Sequence, residues 1–363
     1  MSTINVLHVI ARMNVGGTAR YVGELVDKIP NSALATGFVQ GAELEDSLTT
    51  DLKIHRISHL GRKISPVDDF RAWFELRALI KTLKPDILHT HTFKAGLIGR
   101  LVAGDHKRVH TFHGHLFGDQ SFSPLTKKLI VIAEKFLAGR SDLLISVGDK
   151  VGYELRCAGI GKNQQWVSIP PGVNPLPTID RKLARMALNL RQDDFIFGWM
   201  ARMTSVKNPS LMIEIARELP NFTFVMAGGG ELLESIRTMA PANVLVVGWV
   251  DPSIFWSAVD CAISTSDNEG MPIALIEAQL AHLPVIATNV GAVSEVIENG
   301  VTGIITPKAK TYLVQAIQKL AGDIQLQGEM SANAVLNSTK KFNLDEMLAK
   351  HSLLYSSLID ISI

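Results

Sequence analysis

Two cations follow an apolar run in "GWMARMTSVKN": Arg202 and Lys207. The run reads as a strand, so both fall in a strand-to-helix loop, where a parallel sheet opens toward ligands. A diphosphate suits them, because a guanidinium binds bidentately and an ammonium acts as a mobile point charge. Taken singly, each also fits a solvated loop. Two acids flank the later stretch "EGMPIALIE" (269–277). "CAISTS" before it reads as a strand, "DNEG" as the loop after it, and Pro272 fits the first turn of a helix. Glu269 is then a loop residue and Glu277 lies in the second helical turn, so the two do not share a helical face. A carboxylate among apolar residues is costly to bury without partners, and a ligand's hydroxyls would satisfy Glu277. Gly270 and Met271 present N–H groups at the helix start, where the dipole favours anions. A buried or capping role is the plain alternative for each acid.

Near the N-terminus, Gly16 and Gly17 in "NVGGTAR" let backbone N–H groups approach an anion at a helix start. The dinucleotide fingerprint G-x-G-x-x-G is absent from this loop, and a plain tight turn is the alternative. His89, His91, His110, His113 and His115 gather around the ends of two consecutive strand-like runs, "DILHTH" and "RVHTFH". Their spacing admits a metal site, but no carboxylate or cysteine completes a familiar ligand set. Polar lining of a cleft is the expected role. His113, just past a strand end, is placed nearest the reaction, with His91 and His115 behind it.

Alternating elements must carry these residues. Short apolar runs ("NVLHVI", "GFVQG", "IHRI", "DILHTH", "RVHTFH", "LLISVG", "WVSIP") alternate with helical patterns through the first half. Val22, Leu25, Val26 and Ile29 form one helical apolar face, and Phe70, Trp73, Phe74, Arg77 and Ile80 another, interrupted by Arg77. Such alternation predicts a parallel sheet covered by helices. The proline-rich "PPGVNPLPTIDRK" marks a boundary. A second series follows, with strands such as "FIFGWMA" and "FTFVMAG" and helices over 208–219, 230–240, 253–260, 272–282 and 309–322. The predicted domains are 1–175 and 190–339, joined by a linker over 176–189.

The chain has 363 residues, 36 basic and 35 acidic, so no bulk charge favours nucleic acid. Two cysteines give no disulfide framework and suggest a reducing compartment. "MSTINVLHVIARM" reads as a first strand and not a signal peptide. No apolar run reaches the ~18 residues of a membrane span. A cytoplasmic location is expected. The segment 123–140, "SPLTKKLIVIAEKFLAGR", sets Lys127, Lys128, Lys135 and Arg140 beside an apolar face. It fits a helix lying on an anionic membrane at the inner face of the cell, or one packed on the sheet.

Arg202, Lys207, Glu269, Glu277 and the trailing "PVIATNVGAVSEVIENGVTGII" resemble the family-4 retaining glycosyltransferases of GT-B fold. "NVGGTAR", "DILHTHTFKAGLIGR" and "HTFHGH" are similar to the acceptor domain of that family, especially in bacterial capsule, exopolysaccharide and lipid-linked sugar assembly. The resemblance implies an α/β protein of two Rossmann-like, doubly wound parallel-sheet domains facing across a cleft. The C-terminal helix, 340–363, would pack back on the first domain. Glu277 would hold the ribose, and Glu269 the donor hexose, with Gly270, Met271 and Pro272 near the sugar. Arg202 and Lys207 would bind the diphosphate, Gly16 and Gly17 would close on it, and His113 would face the transferred sugar. Glu295 matches a further acidic position. His282 and Ala292 stand where the family often has glycine, which bears on base preference. Asp-x-Asp, the metal-holding motif of the other common glycosyltransferase fold, is absent, so neither metal nor other cofactor is expected. The expected partners are a nucleotide sugar, UDP-linked, and a glycan or lipid-linked acceptor. The alternatives are a nucleotide-sugar epimerase of the same build and a catalytically silent nucleotide-sugar-binding subunit.

Overall fold

The computed structural model describes residues 4–41, 43–46, 52–61, 65–118 and 122–360. They form two compact units, and the chain passes from the first to the second at Gly172–Val173 and returns at Leu344. The first unit begins with β1 (Val6–Ile10), α1 (Gly17–Lys28), β2 (Ser32–Thr36), β3 (Ile54–Arg56) and α2 (Pro66–Leu83). It continues with β4 (Ile87–His91), α3 (Thr92–Gly99), β5 (Lys107–Phe112) and α4 (Pro124–Ala138), then β6 (Leu143–Ser146), α5 (Asp149–Cys157) and β7 (Trp166–Ser168). The sheet order is β3-β2-β1-β4-β5-β6-β7, with every pair parallel. Strand order therefore reverses between β1 and β4, the place where open α/β sheets receive ligands. Every residue of β1 and β4 is buried, as a sheet covered on both faces requires.

The second unit starts with α6 (Arg181–Ala187), β8 (Ile196–Met200), α7 (Pro209–Glu218), β9 (Thr223–Ala227), α8 (Leu233–Met239), β10 (Val244–Gly248) and α9 (Pro252–Ala258). Then come β11 (Cys261–Ser264), α10 (Ile273–Leu280), β12 (Val285–Thr288), α11 (Val293–Val296), β13 (Gly303–Thr306), α12 (Lys310–Ala321) and α13 (Ile324–Lys341). Its sheet runs β10-β9-β8-β11-β12-β13, again all parallel, with the reversal between β8 and β11. The last helix, α14 (Leu344–Asp360), belongs to the first unit, where Tyr355 reaches His89 of β4.

Three expectations need correction. The segment 176–189 is not a linker. Its helix α6 buries Ala184, and the buried Arg185 guanidinium bonds Asp260 at 2.7 Å and the carbonyls of Ala258, Gln192 and Asp194. Such full satisfaction ties the segment into the second unit. The strand expected at "GFVQG" lies at Ser32–Thr36 instead. At Gly37 the chain passes so near the backbone of Leu60 and Ala11 that no side chain would fit. On α2 the core face is Ala72, Leu76 and Ile80, while Phe70 and Phe74 are exposed. Aromatic size marked the wrong stripe: the two-residue step from Phe70 to Ala72 and from Phe74 to Leu76 crosses to the opposite side of a helix. The face Val22, Leu25, Val26 and Ile29 of α1 is buried.

Candidate active site

In the second unit, the groups picked from sequence gather beyond the carboxyl ends of β8 and β11. After β8 the chain makes one turn of 3-10 helix, Ser205–Lys207, before α7. Thr265, just past β11, clamps that turn: its hydroxyl lies 3.1 Å from the Lys207 carbonyl and 2.9 Å from that of Asn208. The buried indole of Trp199 donates to the same hydroxyl at 2.9 Å. Lys207 is thereby aimed at the next loop. Its Nζ donates to Glu269 Oε2 at 2.6 Å, and Ser266 Oγ donates to Glu269 Oε1 at 2.7 Å. Both carboxylate oxygens are engaged, which is how a largely buried acid is tolerated.

Arg202 sits half-buried in the same β8 loop. Three glycines hold that loop in place. Met203 N donates to Gly229 O at 2.8 Å, and Leu232 N to Met203 O at 3.0 Å. Gly228, at φ +123°, approaches so closely that an added Cβ would stand 1.9 Å from the Ala201 carbonyl oxygen. Only glycine combines that backbone angle with that contact. On the other side, Gly291 (φ +49°) lies against Glu269, where a Cβ would meet its carbonyl oxygen at 1.8 Å. Gly270 is fixed through its carbonyl, which accepts from Ala292 N at 3.1 Å. Sequence reasoning missed Gly228–Gly230, Ser266, Thr265 and Gly291 as site residues; the run "GGG" directly after a strand was the available signal.

Gly270, Met271 and Pro272 lead into α10, and no side chain caps its first turn. Its leading N–H groups are therefore not taken by a cap. Glu277 is buried within α10, among Leu275, Ile276 and Ala278. Glu295 is half-buried on α11. His282, at φ +62°, follows the end of α10 in the left-handed conformation that glycine adopts most easily, and Ala292 is buried before α11.

In the first unit, Gly16 precedes α1 at φ +150°, and no side chain caps that helix either. His113 lies just past β5, its Nε2 3.2 Å from His91 Nδ1 and its ring edge-on to Tyr21. Burial, followed by the neighbouring His351, lowers its pKa to about 3. His91 does stand behind His113, but His115 does not: it bonds Glu154 at 2.7 Å and stacks on Phe117. His110 bonds Thr90 and so faces the side of the sheet opposite His89 and His91. His8, on β1, joins His89 and His91, a neighbour the sequence reading missed because its partner strand is some eighty residues away.

The segment 123–140 carries two apolar faces. Ile130, Leu137 and Ala138 of α4 are buried, and Glu134 reaches the buried Arg100 at 2.7 Å. Outward, Leu125, Leu129, Ile132 and Phe136 are each more than half exposed, beside exposed Lys128 and Lys135. Arg140 lies over the Phe136 ring. Among the described residues no helix is long and apolar enough to cross a membrane.

Two doubly wound parallel sheets of seven and six strands define the GT-B class of fold. Sucrose-phosphate synthase from Thermosynechococcus elongatus shares it, with a TM-score of 0.84 at 19% identity over 99% of this chain and 100% of that one. HepE of Anabaena, solved with UDP and glucose, gives 0.83 at 17% over 98% and 100%. Residues 15–175 match Glycosyltransferase Family 4 and residues 180–336 match Glycosyl transferases group 1, so the chain belongs to this glycosyltransferase family. Among characterised relatives, the Escherichia coli UDP-Gal:alpha-D-GlcNAc-diphosphoundecaprenol alpha-1,3-galactosyltransferase is 26% identical across 99% of this chain and 98% of its own length. The Staphylococcus aureus capsular polysaccharide biosynthesis glycosyltransferase CapM is 22% identical across 85% and 86%.

Proposed function

We propose that this glycosyltransferase moves a hexose or N-acetylhexosamine from a UDP-sugar to a glycan or lipid-linked acceptor, with retention of configuration and without a metal ion, in cell-surface polysaccharide or glycolipid assembly. The observation that carries the reading is the Lys207–Glu269 pair at the β8/β11 reversal, beside the uncapped start of α10. As the pair stands, each charge neutralises the other. A diphosphate would draw Lys207 and Arg202 to its oxygens and leave Glu269 to accept from sugar hydroxyls. Charge builds on the diphosphate as the anomeric C–O bond breaks, and cations placed there beforehand lower the barrier. On the retaining route the acceptor oxygen attacks the same face, and its proton passes to the departing phosphate. Glu277 takes the ribose, Gly270, Met271 and Pro272 border the sugar, Gly16 and Gly17 serve the phosphates, and His113 serves the transferred sugar.

The E. coli relative named above acts on a lipid-diphosphate acceptor with a UDP-sugar, which supports the same choice of substrates here. The outward stripe of α4 adds to it: four exposed apolar side chains flanked by lysines suit an anionic bilayer. A cytoplasmic enzyme resting on the inner membrane face is the location proposed.

A screen of nucleotide sugars, read by UDP release and thermal stabilisation, tests the donor. Turnover with UDP-sugars that survives EDTA is expected, and abolition by EDTA with rescue by a divalent ion removes the metal-free route. For the membrane, flotation with anionic vesicles should fall on Leu129→Glu; equal recovery with neutral vesicles sinks that part.

A further inference from the structure

Burial makes an unpartnered imidazole nitrogen costly, and three rings of the first unit partner their facing nitrogens with one another. His8 on β1 is in register with His89 on β4, and His91 follows two residues on, facing the same side. His8 Nδ1 lies 3.1 Å from His91 Nε2, and His91 Nδ1 lies 3.2 Å from His113 Nε2. At the inner end, the fully buried His8 leaves Nε2 without a hydrogen-bond partner among the described residues. The neighbouring rings stand outside this chain. His89 engages the Tyr355 hydroxyl at 2.6 Å and the Thr111 hydroxyl at 2.7 Å. His351 of α14 engages Tyr21 and the Met347 carbonyl, and His110 faces Thr90.

A neutral imidazole carries one donor and one acceptor. If His8 donates from Nδ1, His91 accepts at Nε2 and donates from Nδ1, so His113 accepts at Nε2 and holds its own proton on Nδ1. Reversing His8 reverses all three. Burial keeps the rings neutral, with His8 and His113 both lowered to about 3. The three rings therefore share one tautomer.

We propose that His8 and His91 are positioning residues which fix the tautomer and orientation of His113, and so which nitrogen it offers the transferred sugar. This rests on the role given to His113 above. A metal ion is the competing use, since His8, His89 and His91 hold ligand atoms within 4.8 Å of one another. Both nitrogens of His89 are already engaged, however, and no carboxylate belongs to that group to offset a buried dication.

The full chain, labelled with 15N-histidine, decides the matter by long-range proton–nitrogen correlation. At pH 7, His8, His91 and His113 should be neutral and in one common tautomer. His91→Phe should give mixed tautomers at His113 and lower kcat about tenfold, with donor KM within about twofold. His91→Asn, whose amide donates or accepts near the place of Nδ1, should recover most of that loss. Different tautomers among the three wild-type rings would overturn the proposal, and that spectrum decides even where His91→Phe fails to fold. So would an unchanged His113 signal in a folded His91→Phe protein, or tight uptake of one Zn2+ per chain that His8→Phe abolishes. Failure of the transferase reading shows separately, as absent UDP release from every nucleotide sugar, while the spectrum still reports on the rings.

Discussion

The two units place their chemistry at the same topological position and equip it in opposite ways. At the β1/β4 reversal stand neutral imidazoles, hydrogen-bonded to each other and to tyrosine and threonine hydroxyls. At the β8/β11 reversal stand a lysine and a glutamate in direct contact, with a serine hydroxyl on the acid. The first arrangement excludes charge and the second supplies it. A parallel α/β sheet fixes where a ligand can bind, but side chains contributed by loops decide whether that place handles a neutral group or an anion.

The largest effect expected from breaking this contrast is at the charged end. Lys207→Ala should lower kcat on the order of 100- to 1,000-fold, the scale of losing one group that stabilises developing charge. UDP release at saturating donor measures it, and near-normal turnover removes Lys207 from the mechanism. Gly291→Ala comes next. Its Cβ would overlap the Glu269 carbonyl oxygen in a left-handed backbone conformation, so stability should fall by about 3 kcal/mol. A urea midpoint unchanged from wild type would show that the contact relaxes freely.

Acid should strike the two units differently. His8 is lowered to about 3 and His351 to about 4, chiefly by burial, against an ordinary value of 6.5. Between those values the unfolded chain binds protons that the folded unit refuses. The stabilisation from neutral burial is therefore complete above about pH 6.5 and is lost as pH falls toward 4 and then 3. Each ring contributes a slope of about 1.4 kcal/mol per pH unit within that window. Hydrogen exchange, corrected for intrinsic rates, should show β1 and β4 losing protection at pH 5 before β8 and β11 do. Equal loss in both sheets would erase the distinction. The smallest effect is at Glu277: Glu277→Ala should weaken UDP affinity about fivefold, near 1 kcal/mol, with kcat at saturation little changed. A fall in kcat with intact affinity would move Glu277 from binding to chemistry.

Much of this was legible because parallel sheets write themselves locally. Buried strands are short apolar runs, and helices 208–219 and 309–322 were readable to within a residue or two of α7 and α12. Lys207 and Glu269 were visible as charged residues in loops after strands. Proline misled at the boundary: the four prolines of 170–177 suggested a linker over 176–189, where Arg185 instead anchors a packed helix. Large aromatics misled at α2, since Phe70 and Phe74 face outward. Gly228 and Gly291 were invisible as site residues, because what makes them necessary is the backbone of a distant loop.

By itself, the sequence determined the doubly wound class, the order of its elements and the residue types available at each loop, because periodicity and turn chemistry act over a few neighbouring residues. Only the tertiary structure decided which of those residues meet. The contact of Lys207 with Glu269 spans 62 positions and that of His8 with His91 spans 83. Strand order sets such pairings, and strand order is chosen by the burial of whole sheet faces.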